Sequence, residues 1–280
     1  MLSRSARRKA KIAMIGHSIV ERDLLMGSES VNSKFERAYG VGRFLQLGKG
    51  GLKLTQTHKR LIFDNFVATA VKENATAIYI VIGDNDIADY EKIDPNPYLC
   101  GWDLFQQTIV LGHELLRQYP SLLQIFFSHI FPRVERFQGP SRASSYFQPD
   151  SFYNRAGLEY NSRAQSYRHE NPTSPVTYLP SRCALDLNLC TSDVSHLGHP
   201  SLDILSTDGV HPKCPNFPVA QYRQPHLTWE DYKLLLGDYA VAERKRLSLR
   251  PYNDADTYNK MLFAPVHAAF KSHMKRHTLL

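Results

Sequence analysis

The chain has 280 residues, a formal net charge of +7, 42% hydrophobic and 22% charged residues, so collagen-like and wholly disordered classes are excluded. No apolar run nears the ~20 residues that a membrane-crossing helix needs. The charge is uneven. Residues 1–11 carry Arg4, Arg7, Arg8, Lys9 and Lys11 with no acid, and residues 243–280 carry eight Lys/Arg against Glu243, Asp254 and Asp256. Basic ends on a mildly acidic body read first as solvated tails and second as arms for an acidic partner such as nucleic acid.

In chain order, short apolar runs alternate with longer amphipathic ones, the pattern of an α/β domain with a parallel sheet. Strands are expected at Lys11–Ile15, Arg43–Leu47, Ala77–Ile82, Leu122–Ile130 and Val176–Leu179. Helical character falls on Leu54–Asn74, Leu99–Gln118, Tyr153–Tyr167 and Thr228–Leu247, with a weaker stretch over Met261–Met274. Residues 138–150 read as a loop, and 184–227 as irregular and proline-rich. Trp102 and Trp229 fall on helices and are expected to be packing residues. The expected organisation is a basic arm at 1–10, one domain over 11–249 and a basic extension at 250–280.

Cys100, Cys183, Cys190 and Cys214 form no CxxC pair and no disulfide framework. His196 and His199, near Asp193, are two histidines three apart in an irregular segment and read as surface residues, so no metal is expected. The start of the chain has no uninterrupted apolar core of a secretory signal, which makes the cytoplasm the default compartment.

In an open parallel sheet, ligands bind beyond the carboxyl ends of the strands. Four segments there carry chemistry: Gly16-His17-Ser18-Ile19, Gly48-Lys49-Gly50-Gly51, Gly83-Asp84-Asn85-Asp86 and Asp208-Gly209-Val210-His211-Pro212. Ser18 on a strand-to-helix turn is a candidate nucleophile, weak until a base takes its proton. His211 is the candidate base, and Asp208, three residues earlier, is placed to orient its ring. The oxyanion that develops needs donors. The Ser18 amide, a glycine amide and the Asn85 side-chain amide can supply them. The Walker A, GxGxxG and GxSxG spacings are absent.

In these segments the sequence resembles the SGNH (GDSL-type) hydrolase family. The first block, usually Gly-Asp-Ser-Leu, is matched by Gly16-His17-Ser18-Ile19, and Gly-x-Asn-Asp by Gly83-Asp84-Asn85-Asp86. Asp-x-x-His followed by proline is matched by Asp208–Pro212, and the glycine block by 48–51, with Gly51 favoured over Gly50. The resemblance implies a three-layer flavodoxin-like fold, strand order 2-1-3-4-5, and hydrolysis of a short-chain carboxylic ester without a cofactor. It also implies a Ser18–His211–Asp208 triad and an oxyanion hole of Ser18, Gly51 and Asn85. His17 departs from the usual Asp, Leu47 stands where an Asn often precedes the glycine, and Lys213–Leu227 is an insert. The alternative is a catalytically idle module of a larger or mobile-element system, binding nucleic acid through its basic ends.

Overall fold

Runs that are apolar at every position can be strands only where both sheet faces are covered. The chain forms five strands, four of them buried at every residue. The computed structural model describes residues 10–23, 30–54, 59–130, 152–179 and 263–278. In chain order they form β1 (Ile12–Gly16), α1 (Ser18–Asp23), α2 (Val31–Tyr39), β2 (Phe44–Gly48), a helix α3 that opens as a π-turn (Leu61–Val67) and continues through Ala68–Lys72, β3 (Ala77–Val81), α4 (Asp84–Tyr90), α5 (Pro97–Gln118), β4 (Gln124–Ser128), α6 (Phe152–Glu170), β5 (Val176–Leu179) and α7 (Ala264–Thr278).

The sheet is wholly parallel, in the order β2-β1-β3-β4-β5. With helices on both faces it is the three-layer, flavodoxin-like architecture with one reversal of strand order, between β1 and β3. β1, β3, β4 and β5 are buried at every residue. Their side chains alternate between two cores. Ala13, Ile15, Ile78, Ile80, Ile125, Phe127, Val176 and Tyr178 join one continuous core with Ile62 and Val67 of α3, Leu104 and Leu111 of α5, and Tyr160 of α6. Ile62 and Val67 are five residues apart, the spacing that the i→i+5 bonding of a π-turn brings to one side.

The second face is closed by α2 and α7. Phe35 stacks on Phe44 at 4.5 Å and meets Phe263 and Phe270 edge-on at 5.5 and 5.6 Å. Val266, Ala269, Phe270 and His273 are buried; His273 Nε2 lies 2.8 Å from Thr76 Oγ1. Arg276 donates to the carbonyls of Pro172 and Ser174 at 2.7 and 2.9 Å. Part of the expected basic extension is thus packed on the sheet.

Helix starts follow capping chemistry. Asn96 accepts from the Tyr98 and Leu99 amides ahead of Pro97, and Ser30 accepts from Ser33 N–H at 3.1 Å. α5 begins two residues before the expected Leu99 because Asn96 caps it. Two helices went unread in the sequence, α2 and α4, whereas the strands lie within one or two residues of expectation. Trp102, expected to pack, is 43% exposed on α5. Trp229 and the expected helix at 228–247 lie outside the described residues.

Candidate functional site

Register brings three of the four chemical segments to one level. Gly16 pairs with Gly48 on β2 and with Val81 on β3, so β1, β2 and β3 end together. Gly16 has to be glycine. A Cβ there would lie 2.6 Å from Val20 Cγ2 and 2.7 Å from the Val81 carbonyl. His17 N–H donates to Val81 O at 3.3 Å, and the His17 carbonyl accepts from Val20 and Glu21 to open α1. Ser18 is therefore the first residue of a helix that starts directly over the end of β3.

The glycine segment 48–51 folds against the same turn. Lys49 N–H donates to Gly16 O at 3.0 Å, Gly50 N–H to Glu21 Oε2 at 2.8 Å, and Leu52 N–H to Lys49 O at 3.2 Å. Gly51 carries the loop's remaining amide. Its φ of +72° is a backbone conformation that residues with a Cβ rarely adopt, and the space beside its Cα is open for 4 Å.

The third segment turns from strand to helix at Gly83, whose φ is +111°. Asp84, Asn85 and Asp86 form the first turn of α4 and not a loop. Asn85 Nδ2 donates to Leu52 O at 3.2 Å, and Asp86 Oδ1 accepts from Leu54 N–H at 2.7 Å. Lys53 pairs with Asp89 one turn further along. The first turn of α4 thus grips the glycine loop at residues on both sides of Lys53. The grip orients the Asn85 amide and leaves it a second N–H.

Asp86 is held at a cost. Its Oδ2 is buried without a partner. Burial pushes the carboxyl up to about 7, against the lowering influence of the Leu54 amide and Lys53. The folded protein holds a proton there that the unfolded chain releases near pH ~4. On account of this group, stability is greatest below that pH and declines as pH rises to about 7. Asp86→Asn, which keeps the acceptor for Leu54 but carries no charge, is expected to flatten that decline in urea midpoints measured between pH 4 and 8. An unchanged slope contradicts the assignment.

The residue that departs from the family pattern, His17, is fully engaged. It and Asp84 are 2% and 3% exposed, with His17 Nε2 2.9 Å from Asp84 Oδ2. Tyr153, in the first turn of α6, donates its hydroxyl to Asp84 Oδ1 at 2.6 Å. Sequence reasoning missed this network. The available signal was an acid missing beside Ser18 and an acid present beside Asn85.

Ser18, Gly51 and Asn85 are brought to the ends of three adjacent strands. Asp208 and His211 lie outside the described residues, as do Asp193, His196, His199 and the insert 213–227. Cys100 is free and buried, its thiol pushed up to about 12 chiefly by burial, so it is no nucleophile at neutral pH. Among the described residues no group of three His, Cys, Asp or Glu is arranged to hold a metal, and no helix is long and apolar enough to cross a membrane.

No protein-family model matches the chain, and no curated protein matches it in sequence. Solved structures are similar to it. An acetylxylan esterase from Geobacillus stearothermophilus, a catalytic mutant, is 14% identical with a TM-score of 0.44, over 87% of this chain and 96% of that one. A protein assigned to the lipolytic G-D-S-L family from Desulfitobacterium hafniense DCB-2 is 13% identical with a TM-score of 0.41, over 84% and 99%. A diltiazem-metabolizing enzyme of a gut microbe is 14% identical with a TM-score of 0.46; the match covers 84% of this chain and 47% of that enzyme, about half its length. The strand order and register define the fold independently of these likenesses.

Proposed function

We propose that the chain is an SGNH-type serine hydrolase that cleaves carboxylic esters of short acyl groups. The observation that supports this most is the common level at which β1, β2 and β3 end, with Ser18, Gly51 and Asn85 in the three turns that follow. A nucleophile and an oxyanion hole need that convergence, and the order of the segments matches the family's blocks.

In this reading Ser18 Oγ attacks the ester carbonyl while His211 takes its proton and Asp208 fixes the ring of His211. The carbonyl oxygen becomes an oxyanion held by the amides of Ser18 and Gly51 and by Asn85 Nδ2. Gly51 is favoured over Gly50 because the Gly50 amide is already bonded to Glu21. The tetrahedral intermediate collapses, His211 returns the proton to the leaving alcohol, and an acyl-Ser18 remains. Water activated by the same histidine then releases the acid. The reading requires no cofactor.

Ester turnover is expected to fall as pH drops below about 6.5, because a protonated imidazole cannot act as base. The acid limb should persist in Asp86→Asn, which separates it from the titration of that carboxyl. A flat profile down to pH 4 contradicts the assignment of His211.

The nucleic-acid alternative rests on the basic ends alone. Two of their cations serve the fold: Lys11 pairs with Glu73 at 3.3 Å, and Arg276 holds the turn at residues 172–174.

A further inference from the structure

Resting on the hydrolase reading, we propose that His17 and Asp84 are positioning residues. Their buried hydrogen bond locks the nucleophile turn to the oxyanion helix. Each partner is the immediate chain neighbour of a residue assigned to the chemistry, His17 of Ser18 and Asp84 of Asn85. The two lie 67 residues apart in sequence, on turns that leave adjacent strands.

The roles of the two ring nitrogens follow from their neighbours. Nδ1 faces the Ile19 amide at 3.4 Å, and that donor requires a bare nitrogen. The proton therefore sits on Nε2 and is donated to Asp84 Oδ2 at 2.9 Å. Asp84 is fixed in turn by Tyr153, whose O–H lies 2.6 Å from Oδ1. Taking Nδ1 as the cap, His17 holds the start of α1 through the second helical amide. The first helical amide, that of Ser18, is the one the oxyanion uses.

A single buried bond of this kind sets the distance between a nucleophile and an electrophile-holding amide. A misplacement of about 1 Å in such a pair can cost ~10²-fold in rate. Three substitutions separate the roles. Gln at position 17 keeps a donor near the place of Nε2, whereas Ala removes both nitrogens. Asp84→Ala removes the acceptor of both His17 Nε2–H and Tyr153 O–H, whereas an amide there keeps both contacts because the Tyr153 hydroxyl can also accept.

The test uses a fluorophosphonate. Ser18 Oγ bonds to phosphorus, the P–F bond breaks, fluoride leaves, and the hydroxyl proton passes to the base. Saturation kinetics separate binding of the probe from the inactivation step. His17→Ala and Asp84→Ala are expected to slow inactivation by about 10–100-fold while shifting probe binding less than about threefold. His17→Gln is expected to stay within about threefold of wild type. Long-range nitrogen–proton spectra of the wild type, with His17 identified by its loss in His17→Gln, should show Nε2–H and a bare Nδ1. Folded variants that inactivate at the wild-type rate overturn the positioning role, as does an Nδ1–H tautomer. A wild type that the probe does not modify overturns the hydrolase reading instead, and the positioning role falls with it.

Discussion

Replacing Ser18 by alanine is expected to lower ester turnover by a factor on the order of 10⁴–10⁶, with the fold intact. The two halves of that expectation have separate physical grounds. Turnover falls because the hydroxyl is the only atom in the proposed site that bonds to the acyl carbon, and water cannot take its place without the same orientation. The fold survives because Ser18 is the first residue of α1, where the chain is set by backbone bonds: His17 N–H to Val81 O, and Val20 and Glu21 N–H to His17 O. Alanine is a better helix former than serine, so the turn loses nothing from its backbone. Turnover of p-nitrophenyl acetate alongside circular dichroism checks both halves. Turnover in folded Ser18→Ala within tenfold of wild type contradicts the triad.

The largest expected effect on stability lies away from the nucleophile, where α5 crosses α6. A Cβ on Gly101 would sit 2.4 Å from the Ala156 carbonyl oxygen, 2.7 Å from Glu159 Cβ and 2.9 Å from the Tyr160 amide nitrogen. Two of those three atoms are helix backbone, so no rotamer change relieves the contact and the helices have to separate. Overpacking of this kind costs about 1–3 kcal/mol, and a backbone obstacle places Gly101→Ala at the upper end. For a domain of this size that corresponds to a fall in Tm of roughly 6–12 °C. Because α6 carries Tyr153 against Asp84, the displacement also reaches the site. A melting temperature within 1 °C of wild type contradicts the close approach of the two helices.

Much of the fold was legible because parallel strands buried on both faces read as uninterrupted apolar runs. Ala77–Val81 needs no other signal. Strand ends were less legible: Leu122 and Leu123 extend the apolar run of β4 but precede the strand. α2 escaped notice because it buries only Val31 and Phe35. Its other support is an aromatic cluster with α7, more than 220 residues away in sequence, which local patterning cannot show. α4 escaped for the opposite reason. Asp-Asn-Asp after a glycine is turn chemistry, and only the strand ahead of it makes those residues a helix start.

The candidate site was legible as separate segments, three of which the register brings to one level, and illegible as a network. Motif spacing singled out Ser18, Gly51 and Asn85, each in the turn after a strand. It could not show that Asn85 bonds the glycine loop, that Asp86 holds Leu54 with one oxygen unpartnered, or that His17 reaches Asp84. Those are contacts between residues more than 30 positions apart, set by register and not by local pattern. His17 looked like a defect in the first block for the same reason, since its partner sits in the third.

The central claim is that Ser18 is an activated nucleophile. The most direct test is to treat the wild-type protein with a fluorophosphonate, measure intact mass, and map the modified peptide. A single adduct on Ser18, absent from Ser18→Ala and from His211→Ala, is the result predicted here. A folded wild type without an adduct, or with the adduct on another residue, contradicts it.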